Sequence, residues 1–119
     1  MMISTKKLFT KILTQLSELQ SLFTDFFKVK EYTYAYSLNS GSTLNITATN
    51  FGFSRPTGYV PIAILRATSG TLNVAVIGTN IQATGGGAAM TIYNHSNATR
   101  AYTATLTILY ARSSMVTTS

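Results

Sequence analysis

The hydrophobic pattern changes its period near residue 30, and this change constrains the fold more than any other feature. From about Ser4 to Phe27, apolar residues recur every three or four positions without Gly or Pro. This spacing predicts an amphipathic α-helix of roughly 35 Å, at 1.5 Å per residue. From Tyr32 onward, every second residue is apolar, which predicts β-strands. A long helix followed only by strands indicates a mainly β fold with an N-terminal helical appendage.

The helical segment follows a heptad repeat. Large apolar residues occupy its a and d positions: Phe9, Ile12, Leu16, Leu19, Phe23 and Phe26. Further apolar residues at e and g positions make the stripe wider than a two-stranded coiled coil requires. We therefore expect residues 1–30 to be a helical oligomerisation segment, a coiled-coil stalk that forms a homotrimer through these six residues. The alternative is a helix packed on its own domain, because heptad and 3.6-residue periods barely differ over so short a segment.

Residues 31–119 read as a separate head with an antiparallel β-sandwich or jelly-roll fold. Six or seven short strands are predicted, with candidates over residues 32–38, 43–49, 59–67, 72–81, 89–94 and 102–112. Without a second helix to cover a sheet, two packed sheets are the simplest closed core. The strand containing "VPIAILR" is apolar on both faces, which predicts a central strand or one covered by a neighbouring subunit. Before it, Pro56 fits the second position of a type I turn that begins at Arg55.

Charged residues are distributed unevenly, and their distribution argues against catalysis. All three carboxylates, Glu18, Asp25 and Glu31, lie in the first 31 residues, and the chain has no cysteine and only one histidine. The body therefore lacks the groups for thiolate chemistry, paired-carboxylate catalysis or a His and carboxylate metal site. We expect no enzymatic activity and no cofactor. The net charge of +6 is not concentrated in a basic cluster, so nucleic acid is not an expected partner. No apolar run is long enough to predict a membrane span or an export signal.

The predicted loops contain several residues of the types that bind sugars. Sugars are held without metals by aromatic faces and by amide or guanidinium contacts to hydroxyl groups. The candidate ligand-binding residues are Arg55, Tyr59, Tyr93, His95, Asn97 and Arg100, and Asn94 belongs to the same group of polar loop residues. For His95, a solvated loop histidine is the alternative. A weakly cationic body fits anionic host cell-wall glycans such as teichoic acid, whose phosphates attract arginine.

Two segments, "RPTGYVPIAILRATSG" and "MTIYNHSNATRAYTATLTILYAR", resemble the small virion proteins and fibre head domains of tailed bacteriophages, particularly those of Gram-positive hosts. The shared features are a "P-x-G-Y" turn that opens an apolar strand, an "x-N-x-S" strand end and a closing strand that terminates in "LYAR". The resemblance covers roughly residues 32–112. It implies a trimeric head attached to the virion through an N-terminal helical segment, in a tail tip, a fibre or a capsid-surface fibre.

The expected function is therefore that of a virion structural or attachment protein on the tail or capsid surface. Its expected partners are other copies of the chain, other virion proteins and host surface glycans. The alternative from another class is a stand-alone bacterial lectin that binds carbohydrate.

Overall fold

The structure, a computed structural model, describes residues 5–115, and all side chains in that range except those of residues 5, 6, 21–24 and 115. The chain folds into α1 (Thr5–Phe26), β1 (Phe27–Leu38), β2 (Thr43–Thr47), α2 (Ala48–Phe51), β3 (Tyr59–Thr68), β4 (Val74–Thr79), β5 (Ala88–Asn94), β6 (Arg100–Arg112) and a 3-10 turn (Ser113–Met115). The prediction of a mainly antiparallel β fold with an N-terminal helix is confirmed. The outermost residues of the two predicted domains, 1–4 and 116–119, lie outside the described residues.

The strands form two three-stranded antiparallel sheets. The first sheet has the order β1-β6-β3, and the second has the order β2-β5-β4. Both sheets contribute to one buried cluster, which consists of Tyr32, Tyr36, Leu38, Ile46, Phe51, Val74, Ala89, Met90, Ile92, Ala104, Leu106, Ile108 and Tyr110. The two sheets therefore share a single hydrophobic core.

Strand β6 is the central strand of the first sheet, and its pattern is close to the predicted one. Ala104, Leu106, Ile108 and Tyr110 are buried, as expected for alternate residues on one face. Tyr102 belongs to the same alternate set and faces the same side of the sheet, but it is 42% exposed. It lies at the end of the sheet, beside the loop that follows β3, where less of the core covers it.

Strand β3 lies at the edge of the first sheet, so the prediction of a central strand is wrong. Its pairing with β6 shifts register between Pro61 and Ala63 and again between Ile64 and Arg66. These bulges leave Ile62 and Leu65 41% and 54% exposed. A proline within the strand is tolerated because an edge strand has N–H positions without a ladder partner.

The turn before β3 starts one residue later than predicted. The backbone N–H of Tyr59 donates to the carbonyl of Pro56 at 3.0 Å, so Pro56 is the first residue of the turn and not the second. Gly58 then takes the third position, with a φ of +83°. A positive φ at this position is typical of a type II turn, and glycine adopts it without steric cost.

Strand β2 ends at Thr47, two residues before the predicted end, because a short helix begins there. The Thr47 side chain accepts a hydrogen bond from the backbone N–H of Asn50, and the Asn50 side chain accepts one from the N–H of Thr47. This reciprocal capping box fixes the start of α2.

Helix α1 projects from the β body instead of lying on it. The side chains of residues 7–20 are all exposed, and the molecule measures 73 × 34 × 22 Å. The alternative of a helix packed on its own domain is therefore wrong. The helix stops at Phe26, one residue before its predicted end at Phe27. Residues 27–30 of the predicted stalk segment belong instead to β1, because Phe27 to Lys30 pair with Ala111 to Ile108 of β6.

Candidate functional site

An apolar stripe runs along α1 and faces solvent. Its described members are between 46% and 62% exposed: Leu8, Phe9, Ile12, Leu13, Leu16 and Leu19. At 3.6 residues per turn, these positions span roughly 140° of the helix circumference. The stripe contains the predicted contact residues Phe9, Ile12, Leu16 and Leu19, whereas the side chain of Phe23 lies outside the described residues.

The end of α1 is anchored to the β body, and we call this contact the junction. The Asp25 carboxylate forms an ion pair with Arg112 of β6, whose guanidinium carbon lies 5.5 Å from the centroid of the Phe26 ring. The Tyr59 hydroxyl donates a hydrogen bond to the backbone carbonyl of Asp25, and the Lys28 ammonium lies 5.2 Å from the centroid of the Tyr59 ring. Tyr59, predicted as a ligand contact, and Phe26, predicted as a stalk contact, thus both belong to the junction.

The six candidate ligand residues do not form one site. The pairing of β1 with β6 places Phe27 opposite Ala111 and Leu38 opposite Arg100, so the first sheet is roughly 36 Å long at 3.3 Å per residue. Arg55 and Tyr59 lie toward the end that carries α1, which we call the stalk end. The structure places four candidates toward the opposite, distal end: Tyr93, His95, Asn97 and Arg100.

Asn94 organises the distal end from within the protein. Its side-chain amide donates to the carbonyls of Leu38 and Ala98 at 2.8 and 2.9 Å, and its Oδ1 accepts from the N–H of Ser96 at 2.9 Å. The residue is completely buried. Asn94 therefore holds the loops together and is not accessible to a ligand, which corrects its grouping with the binding residues.

Three loops, 39–42, 69–73 and 95–99, meet at this end, and we call them the distal loop cluster. Nε2 of His95 lies 2.9 Å from the carbonyl oxygen of Leu72, which joins the third loop to the second. The Ser40 hydroxyl donates to the carbonyl of Ser96 at 2.6 Å, and Nε of Arg100 donates to the Ser96 hydroxyl at 3.0 Å. These hydrogen bonds hold the loops together. His95 and Arg100 take part in them, so both side chains have partners within the protein.

The surface of the distal loop cluster, together with the ends of β5 and β6 beside it, combines apolar, aromatic and amide groups. Leu72 is 96% exposed at the tip, and Tyr93 and Tyr102 are 37% and 42% exposed. Asn97 is also exposed. Such groups can contact the C–H faces and the hydroxyls of sugars. Leu72 was not among the candidates, because it was interpreted as the first residue of a strand.

A cavity of about 520 Å³ lies at the stalk end, and Arg55 is the only charged residue in its lining. Phe53, Pro61 and Ile81 give the lining apolar side chains. Tyr110 also lines the cavity, and its hydroxyl lies 2.7 Å from that of Tyr32. Burial raises the pKa of Tyr110, and the hydrogen bond with Tyr32 raises it further. The Tyr110 hydroxyl therefore remains protonated at neutral pH and serves to join β6 to β1.

Within residues 5–115, no three His, Asp or Glu side chains lie close enough together to bind a metal ion. No helix in that part of the chain has both the length and the apolarity to span a membrane. Comparisons with protein-family models, with curated proteins and with solved structures find no match.

Proposed function

We propose that this protein is a virion structural protein of a tailed bacteriophage, a homotrimer with a coiled-coil stalk and a β-sandwich or jelly-roll head that contacts the host surface. The observation that carries the proposal is the exposed apolar stripe on a helix that projects from a folded β body. A contiguous exposed apolar surface of this kind marks an interaction site.

The width of the stripe favours three chains. In a two-stranded coiled coil each helix contacts one neighbour through a narrow a and d seam, whereas in a trimer each helix contacts two. The six stripe residues are already about half buried in the single chain. Completing their burial is worth about 1 kcal/mol each, or about 6 kcal/mol per chain.

The distal loop cluster is the part of the head that we assign to host contact. If the stalk joins other virion proteins, this cluster points away from the particle and meets the host surface first. Its internal hydrogen bonds reduce the conformational entropy that the loops lose on binding. The exposed leucine, tyrosines and amide suit a cell-wall glycan, and Arg100 provides the positive charge that a teichoic acid phosphate attracts.

We expect the double variant Leu72→Ala, Asn97→Ala to bind purified host cell walls at least tenfold more weakly than the parent protein. Both side chains are exposed, so the substitutions remove contacts to the glycan without removing contacts from the core. Co-sedimentation with cell walls measures the binding. The matched control is Arg55→Ala, which changes a candidate residue at the stalk end and should leave wall binding unchanged.

Three results would redirect this proposal. Weaker binding by Arg55→Ala, with unchanged binding by the double variant, would place host contact at the stalk end. If an antibody against the chain labels purified particles but the parent protein does not bind walls, the role is purely architectural. Wall binding by a protein that is absent from particles would favour the stand-alone lectin.

A further inference from the structure

The outer face of the first sheet, which points away from the core, carries an ordered pattern of side chains. Leu106, Ile108 and Tyr110 of the central strand point inward, so the residues between them point outward. The registers of β1 and β3 with β6 define rows across the three strands. The two rows nearest the stalk are apolar throughout, and they consist of Phe27, Ala111 and Val60, then Val29, Leu109 and Ala63.

The third row carries opposite charges at its two ends. It consists of Glu31 on β1, Thr107 on β6 and Arg66 on β3. Glu31 is the only carboxylate in residues 27–119. Glu31 and Arg66 are both exposed, and neither side chain forms a hydrogen bond or an ion pair within the part of the chain that the structure describes.

We propose that the subunit interface continues from the stalk onto this face, and that Glu31 of one copy pairs with Arg66 of the next. The proposal rests on the homotrimer proposed above. In a cyclic trimer each contact joins two different surfaces of neighbouring copies. Because β1 and β3 are the two edges of the sheet, β1 of one copy then lies beside β3 of its neighbour.

Because Glu31 and Arg66 lie in one row, they have the same position along the strand direction. A rotation about an axis parallel to the strands therefore brings Glu31 of one copy beside Arg66 of the next without any shift along the axis. The exposed Ile62 and Leu65 lie on the same edge strand as Arg66, so the neighbouring copy would cover them as well.

The width of the sheet also fits three copies. Three strands at about 4.8 Å spacing make a face roughly 14 Å wide, and three such faces around an axis each lie about 4 Å from it. This is close to half of the ~10 Å that separates packed sheets, so Leu109 on the central strand can fill the space at the axis. Four copies would place the faces about 7 Å from the axis and leave a void.

Charge reversal in the full-length chain tests the pairing. Glu31→Arg and Arg66→Glu each place like charges at every subunit contact, so we expect each to lower the trimer association constant at least tenfold. The double variant Glu31→Arg, Arg66→Glu should restore association. Sedimentation equilibrium over a range of concentrations measures the association constant. The control is Arg55→Glu, which makes the same charge change as Arg66→Glu but lies away from this face.

Mixing the two single variants decides whether the pair joins different copies. A mixed trimer has opposite charges at two of its three contacts, so an equimolar mixture should associate more strongly than either variant alone. A pair formed within one chain, across Thr107, would be restored only by the double variant and never by mixing. Unchanged association of both single variants, or no gain on mixing, would overturn this inference. A parent protein that is not a trimer would instead contradict the proposed function.

Discussion

The double variant Ile12→Glu, Leu16→Glu should be a folded monomer at micromolar concentration, whereas the parent chain should be a trimer. Both residues lie at the centre of the exposed stripe on α1, and neither contributes to the core of the β body. Each substitution removes about 1 kcal/mol of burial per chain, so the two together remove about 6 kcal/mol from a trimer. This lowers the association constant roughly 10⁴-fold, before the repulsion between six buried carboxylates is counted. Light scattering coupled to gel filtration measures the mass.

The control for this variant is Thr14→Glu, on the opposite side of the same helix. Glutamate is a good helix former in both proteins, so helix content stays comparable while only the stripe changes. Thr14→Glu should remain a trimer. If the double variant keeps the parent mass, the stripe does not hold the chains together.

The second large effect is expected at the distal end, where Asn94→Asp should destabilise the fold by about 3 kcal/mol. The substitution keeps the shape of the side chain but replaces two N–H donors with an oxygen that faces the carbonyls of Leu38 and Ala98. Each buried polar group that loses its partner costs about 1–3 kcal/mol. For a domain of this size, we expect the melting temperature to fall by about 10–20 °C. Thermal unfolding followed by circular dichroism measures it.

Asn97→Asp is the matched control, since it makes the same chemical change in an exposed side chain of the loop that follows Asn94. Asn97→Asp should change the free energy of unfolding by no more than about 0.5 kcal/mol. Equal stability of the two variants would show that the hydrogen bonds of Asn94 do not hold the distal loop cluster together.

The elements of the fold were predictable where local periodicity decides them. Helix α1 begins and ends within one residue of the predicted segment, because its apolar stripe and the absence of Gly and Pro are local signals. The start of β1 was missed because Lys28 and Lys30 occupy the alternate positions where apolar residues were expected. Their partners are distant in sequence: Lys28 lies over the Tyr59 ring, and Lys30 donates to the carbonyl of Ser54 at 2.7 Å. No local pattern predicts such contacts.

The candidate site was predictable in residue type but not in arrangement. The sequence indicates which loops carry arginine, tyrosine and amide groups, but the order of strands in the sheets decides which loops meet. This order separates Arg55 from Arg100 and brings loops 39–42, 69–73 and 95–99 together. Asn94 was grouped with surface residues because its polarity is typical of a loop, whereas its partner Leu38 is set by tertiary structure. The pairing of Glu31 and Arg66 in one row likewise depends on strand register.

The mass of the intact, unmodified chain in solution decides whether α1 is a trimerisation stalk. Light scattering at micromolar concentration should give about 39 kDa, three times the chain mass of 12.9 kDa. A mass of two chains would contradict the threefold arrangement, but it would still be consistent with self-association through the stripe. A stable species of 12.9 kDa would contradict the account of α1 as an oligomerisation stalk.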